Sequence, residues 1–376
     1  MKRLKRIVQC ARTIGPGYGV SGPSYQLERA FQRMGFECER FTLEDLGIRT
    51  TSMPGGNPLV ALLKFWRDIV VYSFWGSVVA WWKYRKRLDD TVVICQVDAV
   101  YGDIYVVRSL HKAFLKRQPN RRWMMLRNPF HSLVLIRDYA RFKSRVHRHF
   151  VALSEPNKEE LIEQYGVDPD RITVIPNGVD MERFKPNPES CREVRKELGI
   201  PENELVGIFA GHEFERKGLP LVLDSLRLLK KKSVRLLVAG RDDPGAVQLR
   251  YSDLNERVYY LGNRDDIERY YAAADFMIMP TLHDISPLVG PEALATGLPI
   301  LMTPVGGALA YLEHGRNGWF IEREATDIAE KLQLLLDDRN LLKEASSRAR
   351  DSVKEWDWGA IARRYVELIE KLRCSC

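Results

Sequence analysis

An α/β architecture of two doubly wound, Rossmann-like domains facing a central cleft is what this sequence predicts. Three observations predict it. Short apolar runs rich in Val, Ile and Leu recur along the chain and alternate with longer segments of helical periodicity, the pattern of parallel strands joined by crossover helices. Several of these runs stop at Gly, Pro or Asn, residues that turn a strand into a loop. A length of 376 residues with 45% hydrophobic content suffices for two cores of ordinary size.

The first domain spans residues 1–180. Residues 5–11 read as a strand, Gly15, Gly17, Gly19 and Gly22 as a turn able to approach a phosphate or sugar closely, and 24–34 as a helix. A second strand follows at 35–41 and a loop at 43–58. Residues 59–88 form an aromatic, helix-like stretch holding Trp66, Trp75, Trp81 and Trp82; its uncharged part, 69–82, falls short of the roughly 20 residues that cross a bilayer. It suits a core helix or an interfacial one. A strand at 91–95, a loop and helix over 98–116, a strand at 121–126 and a basic helix-like segment at 137–148 come next. A strand at 149–154 then leads into a helix at 155–165 with Ser154 as N-cap, and a short strand ends in the Asn177-Gly178 turn.

The second domain spans 181–355. Its strands are expected at 205–211, 235–240, 258–262, 275–280 and 299–302, and helices fill residues 325–373. The last apolar run before a polar, proline-bearing loop is 275–280; Pro291 then reads as the first residue of a helix opening with Glu292. Asp284 stands at the start of that loop and Glu292 at its far end, with seven residues between them, so two carboxylates are presented at the mouth of a strand-loop-helix unit. The helix start adds free N–H groups and a positive dipole end, suited to a phosphate.

Charge is divided unevenly. Residues 1–150 carry 27 Lys and Arg against 11 Asp and Glu, or +16, while the whole chain is +8, leaving −8 for the rest. A basic first half suits an anionic partner such as a membrane leaflet or a phospholipid-linked acceptor. The basic 137–148 segment is without an accompanying nucleic-acid-binding motif, and no nucleic acid is expected. The six cysteines form no C-x-x-C pair and the N-terminus shows no signal-peptide pattern, so a reduced, cytoplasmic protein without structural metal is expected, peripheral on the inner membrane face if the basic half contacts lipid.

The segment H-D-I-S-P-L-V-G-P-E at 283–292 resembles the Glu-x7-Glu signature of the retaining group 1, family 4 glycosyltransferases, with Asp284 for the first acid and Ile285 for the usual Gly. The V-I-P-N-G-V-D run at 174–180, with Arg183-Phe184-Lys185-Pro186 after it, is similar to that family's interdomain segment, and Gly211 with Arg216-Lys217-Gly218 follows in the family's order. Ala310 stands where the family commonly has Glu.

The resemblance implies the GT-B fold, with residues 356–376 as a helix crossing back to the first domain. It implies transfer of a hexose from a nucleoside diphosphate sugar, used as co-substrate without further cofactor, to a hydroxyl acceptor of glycan or lipid-linked type; no Asp-x-Asp motif flanks the site, Asp242-Asp243 and Asp265-Asp266 lying in other segments, so no metal is expected. Arg216 and Lys217 would neutralise the leaving diphosphate, aided by backbone amides of Ser286, Pro287, Leu288 and Val289 as far as each has one; Asp284 would bind a sugar hydroxyl and Glu292 the ribose. Gly17 and Gly19 would face the donor phosphate, Gly211 would flank it, and Asn263 would lie by the base. The family often has a His at the end of the strand placed here at 121–126; His131, or Arg127 in its stead, would fill that catalytic position. A nucleotide-sugar epimerase, another GT-B enzyme, or a non-catalytic anionic-lipid-binding protein are the competing expectations.

Overall fold

The computed structural model describes residues 4–17, 21–48, 58–87, 89–96, 98, 101–116, 120–128, 130–230 and 233–374. Gly19 and most of the 43–58 loop, including Pro54-Gly55-Gly56-Asn57, lie outside them. The chain divides into two units, Met1–Asn177 with Trp358–Cys376, and Gly178–Asp357.

The N-terminal unit is built on six parallel strands: β1 Arg6–Cys10, β2 Glu37–Phe41, β3 Thr91–Cys95, β4 Ile104–Val107, β5 His149–Ala152 and β6 Ile172–Val174, in the order β2-β1-β3-β4-β5-β6. The order reverses between β1 and β3, which are paired in register from Arg6 with Thr91 to Cys10 with Cys95. Buried Val8, Val93, Tyr105 and Phe150 place the core along the sheet. The helix Ser21–Arg33 follows β1, and Phe31 on it meets Tyr365 of the last helix, Trp358–Cys374, edge to face at 6.3 Å.

Two expectations fail here, for one reason. Residues 121–126 are not a strand but belong to the helix Arg121–Arg127, and the sheet's fourth strand is Ile104–Val107, within the region read as loop and helix. Arg, Met and Leu are good helix formers, and Arg121–Arg127 has no β-branched residue; Ile-Tyr-Val-Val is β-branched, aromatic and wholly buried. This short run passes into Arg108-Ser109 with no glycine or proline to mark a strand end.

The aromatic stretch is the helix Pro58–Val71, a π-helical turn Tyr72–Gly76 and the helix Ser77–Tyr84. It is two-faced. Tyr72, Ser73, Gly76, Ala80 and Tyr84 are buried, with Tyr72 Oη donating to the Phe41 carbonyl at 2.6 Å, whereas Phe74, Trp75, Val78, Trp81 and Trp82 are exposed. The basic segment likewise is not simply solvated: on the helix Phe130–Lys143, Asp138 and Arg141 are buried.

The C-terminal unit carries β7 Leu205–Ala210, β8 Val234–Ala239, β9 Val258–Gly262, β10 Phe276–Met279, β11 Ile300–Met302 and β12 Gly318–Phe320, all parallel, in the order β12-β11-β10-β7-β8-β9. β7 is buried at every position, as a central parallel strand requires. Gly207 in β7 makes room for Phe276 of β10: a Cβ there would lie 2.6 Å from that ring. The order reverses between β7 and β10, so the loops leaving their carboxyl ends, 211–218 and 280–288, meet at the topological switch point where doubly wound sheets bind ligands. The helix after the second loop is Val289–Ala295; it begins two residues earlier than Pro291, which falls within its first turn where a missing N–H costs nothing.

Candidate functional site

Both loops at the switch point are held by glycines where no other residue fits. Gly218, at φ +86°, closes the Arg216-Lys217 turn; a Cβ on it would lie 2.4 Å from the Pro280 carbonyl at the root of the other loop. Gly306, at φ +51°, presses on the acidic loop, where a Cβ would lie 1.6 Å from the Asp284 carbonyl, and Gly307 sits against Ser286 Cα. Gly211 lies along the Lys217 stem, and its carbonyl is covered by Gly240.

These constraints bring the two motifs together. The Lys217 ammonium donates to Asp284 Oδ2 in an ion pair, with both side chains largely shielded. Arg216 donates through Nη1 to the His283 carbonyl and through Nε to Glu213 Oε2 at 2.8 Å. The Leu282 N–H donates to the Arg216 carbonyl at 3.0 Å, so side chain and main chain alike stitch the loops. Ser286, Pro287 and Leu288 continue the acidic loop into Val289, the first residue of its helix.

Glu292 stands apart in character. It is buried, and its only hydroxyl donor among the described residues is Tyr271 Oη at 3.4 Å. Burial pushes its carboxyl up to about 7, opposed by Arg183 and the Tyr271 hydrogen bond. Asn263, just past β9, accepts from Arg241 Nε at 3.2 Å.

Gly17 and His131 belong to the N-terminal unit. Gly17, at φ +131°, turns the chain after β1, and its carbonyl lies where a Cβ on Gly22 would fall. His131 is not at a strand end: it sits in the first turn of the helix Phe130–Lys143, as Arg127 ends the helix before it. The histidine that follows the true fourth strand is His111, four residues past Val107. The two imidazoles meet, His111 Nε2 to His131 Nδ1 at 3.0 Å with rings stacked at 5.0 Å. Burial lowers the pKa of both, and His131 lowers that of His111 further, which favours a neutral pair sharing one N–H.

Sequence reasoning passed over three supports. Asp242, beyond β8, accepts the N–H groups of Glu213 at 3.0 Å and Phe214 at 2.7 Å, clamping the turn that carries Arg216 and Lys217. Glu213 is held there in the left-handed region at φ +59°, a strained conformation for a residue with a Cβ. Arg323 donates to the carbonyls of Pro280 at 3.2 Å and Glu215 at 2.9 Å, tying the loops from behind. Tyr271 is the third. No local signal marks these three, since each acts on a segment at least 21 residues away.

Comparison with known proteins decides the family. Residues 204–338 match the family described as Glycosyl transferases group 1, and residues 24–183 match Glycosyltransferase Family 4. The chain belongs to the group 1 glycosyltransferases. The D-inositol 3-phosphate glycosyltransferase of Streptomyces bingchenggensis is 29% identical over 230 residues, covering 56% of this chain and 50% of that protein. An Escherichia coli UDP-Gal:alpha-D-GlcNAc-diphosphoundecaprenol alpha-1,3-galactosyltransferase is 26% identical over 220 residues, 56% of this chain and 57% of that one. The chain thus spans little more than half the length of these relatives. Among solved structures, WaaG, described as a glycosyltransferase involved in lipopolysaccharide biosynthesis, superposes with a TM-score of 0.77 at 18% identity, over 96% of this chain and 99% of its own. The fold of this group 1 chain is therefore GT-B.

Proposed function

We propose that the protein transfers a hexose from a nucleoside diphosphate sugar to a hydroxyl acceptor, with retention at the anomeric carbon and without a metal ion. The observation that carries this reading is the meeting of the Lys217 and Asp284 side chains, with Arg216 beside them, at the β7/β10 switch point. Breaking the anomeric bond drives negative charge onto the departing diphosphate, and fixed cations aimed at that charge lower the barrier. Arg216 and Lys217 supply those cations in place of a metal. Asp284 binds a hydroxyl of the transferred sugar, Glu292 the ribose, and Asn263 lies by the base. Clamping by Asp242 and Arg323 fixes the cations before the donor arrives, so little reorganisation is left for the reaction itself.

The acceptor is lipid-linked and met at an anionic membrane surface. Supporting this, Trp75, Trp82, Trp123 and Ile136 are exposed on segments that flank in sequence the Trp66–Phe130 stack at 4.7 Å, with Arg85 over Trp81 and Arg127 over Trp123. Aromatic rings interleaved with cations suit the lipid headgroup region. No helix among the described residues is long and apolar enough to cross a membrane. The E. coli relative's name joins a UDP-sugar donor to a diphosphoundecaprenol acceptor, in keeping with this reading.

Incubation with nucleoside diphosphate sugars and lipid-linked acceptors in the presence of a chelator tests it. Acceptor-stimulated release of the nucleoside diphosphate and a product with the donor's anomeric configuration by NMR are expected. Release that requires added divalent metal, or an inverted product, rejects the corresponding part.

A further inference from the structure

The N-terminal unit holds arginines of two kinds. Arg12, Arg137 and Arg141 each face a carboxylate: Arg12 Nε lies 2.5 Å from Asp98, Arg137 Nη1 2.7 Å from Asp98 and Arg141 Nη1 3.2 Å from Asp138. Arg108, the residue after β4, faces only neutral amides. Its Nε and Nη2 donate to Gln96 Oε1 at 3.2 and 2.8 Å, and its Nη1 to Asn177 Oδ1 at 2.9 Å. Among the described residues no carboxylate acts on it; the ionisable neighbours are Tyr365 and Tyr105, and burial depresses its pKa.

The amides are oriented by their own network. Gln9 Nε2 donates to the Ser24 carbonyl at 3.1 Å, which leaves Gln9 Oε1 to accept from Gln96 Nε2 at 2.8 Å and turns Gln96 Oε1 toward Arg108. Both glutamines are fully buried, whereas Arg108 keeps partial access to solvent. A guanidinium has five N–H donors and three are used, so one remains on each terminal nitrogen. A shielded cation without a counter-charge is costly, and an incoming oxyanion offsets that cost. The place also fits: Gln9, Gln96 and Arg108 come from the carboxyl ends of β1, β3 and β4, at this sheet's own switch point.

We propose that Arg108, supported by Gln96 and Asn177, is an oxyanion-binding subsite of the N-terminal unit that takes a phosphate or carboxylate group of a small-molecule ligand. The subsite does not depend on the sugar-transfer reading of the C-terminal unit.

The test uses the full chain carrying Lys217→Ala, which silences the other cation-rich site, with sn-glycerol 3-phosphate and D-glucuronate as probes in calorimetry and thermal shift at constant ionic strength. At least one probe should bind and raise the melting temperature. Adding Arg108→Gln should weaken that binding about tenfold or more. Adding Gln96→Glu, which gives Arg108 a built-in carboxylate, should raise the melting temperature without ligand and also weaken the probe about tenfold. Response to the phosphate alone assigns a phosphate-bearing ligand and response to glucuronate alone a carboxylate-bearing one; both support the subsite. Absence of binding by either probe, or affinity within about twofold of the parent in either second variant that folds, overturns it.

Discussion

The two units use their charges in opposite ways. In the C-terminal unit, cations and acids adjacent in sequence motifs emerge together at neighbouring strand ends, and Lys217 meets Asp284 across 67 residues of chain. In the N-terminal unit, several of the cations that make it basic turn inward: Arg141 is buried against Asp138 and the Tyr105 hydroxyl at 2.7 Å, and Asp98 gathers Arg12 and Arg137. These inward-facing arginines are largely offset by Asp98 and Asp138, so most of the net +16 of residues 1–150 lies outside the core. Those ion pairs are internal scaffolding, and what faces outward on helices such as Ser77–Tyr84 is aromatic as much as basic.

That contrast can be broken most sharply at Lys217. Lys217→Ala should lower kcat/KM by about 10²–10³, measured as nucleoside diphosphate release, because one fixed donor to the leaving group is lost. Lys217→Arg should recover part of it. A loss under about threefold would place the chemistry elsewhere.

Next in size is Gly306→Ala. The added methyl falls on the Asp284 carbonyl, so the acidic loop must move; a stability loss of about 1–3 kcal/mol in denaturant unfolding and a fall in donor affinity are expected together. Asp242→Ala should act through the opposite loop. Two backbone N–H groups lose their acceptor and the strained Glu213 its clamp, so kcat should fall about tenfold with a smaller change in KM.

Glu292→Gln gives two effects of opposite sign. Burial favours the protonated carboxyl in the folded state, so its stabilising contribution is complete below the ordinary value of 4.5 and is lost as pH rises through about 7. At pH 8 the Gln variant should be more stable than the parent, by up to about 3 kcal/mol. Donor affinity should nonetheless drop about tenfold at that pH, and the parent's donor KM, rising below pH 7, should become flat in the variant. The smallest effect belongs to the other unit: Trp75→Ala with Trp82→Ala should weaken sedimentation with acidic vesicles several-fold while leaving turnover of a soluble acceptor unchanged.

Most strands of both units were legible in the sequence, with β4 the exception in the first. Strands β7, β8 and β10 were readable because each is an apolar run that stops at a glycine or a proline. The Arg216-Lys217 turn and the Asp284 loop were picked out by residue type and spacing, and the Lys217–Asp284 contact joins them. β4 was not readable, since it runs on into Arg108-Ser109 with no glycine or proline to mark its end, and the strand was placed at 121–126 instead, next to His131 rather than His111. Arg108 and Asp242 escaped for a different reason: their roles depend on partners 12 to 69 residues away that no local pattern announces.

The contact of Gly306 with the main chain of Asp284 bears on how such a site changes over generations. The peptide at 284 is gripped by its neighbour's backbone, independently of the acid hung upon it. The side chain at 284 can then be shorter or longer without the loop drifting, while the frame around it stays fixed.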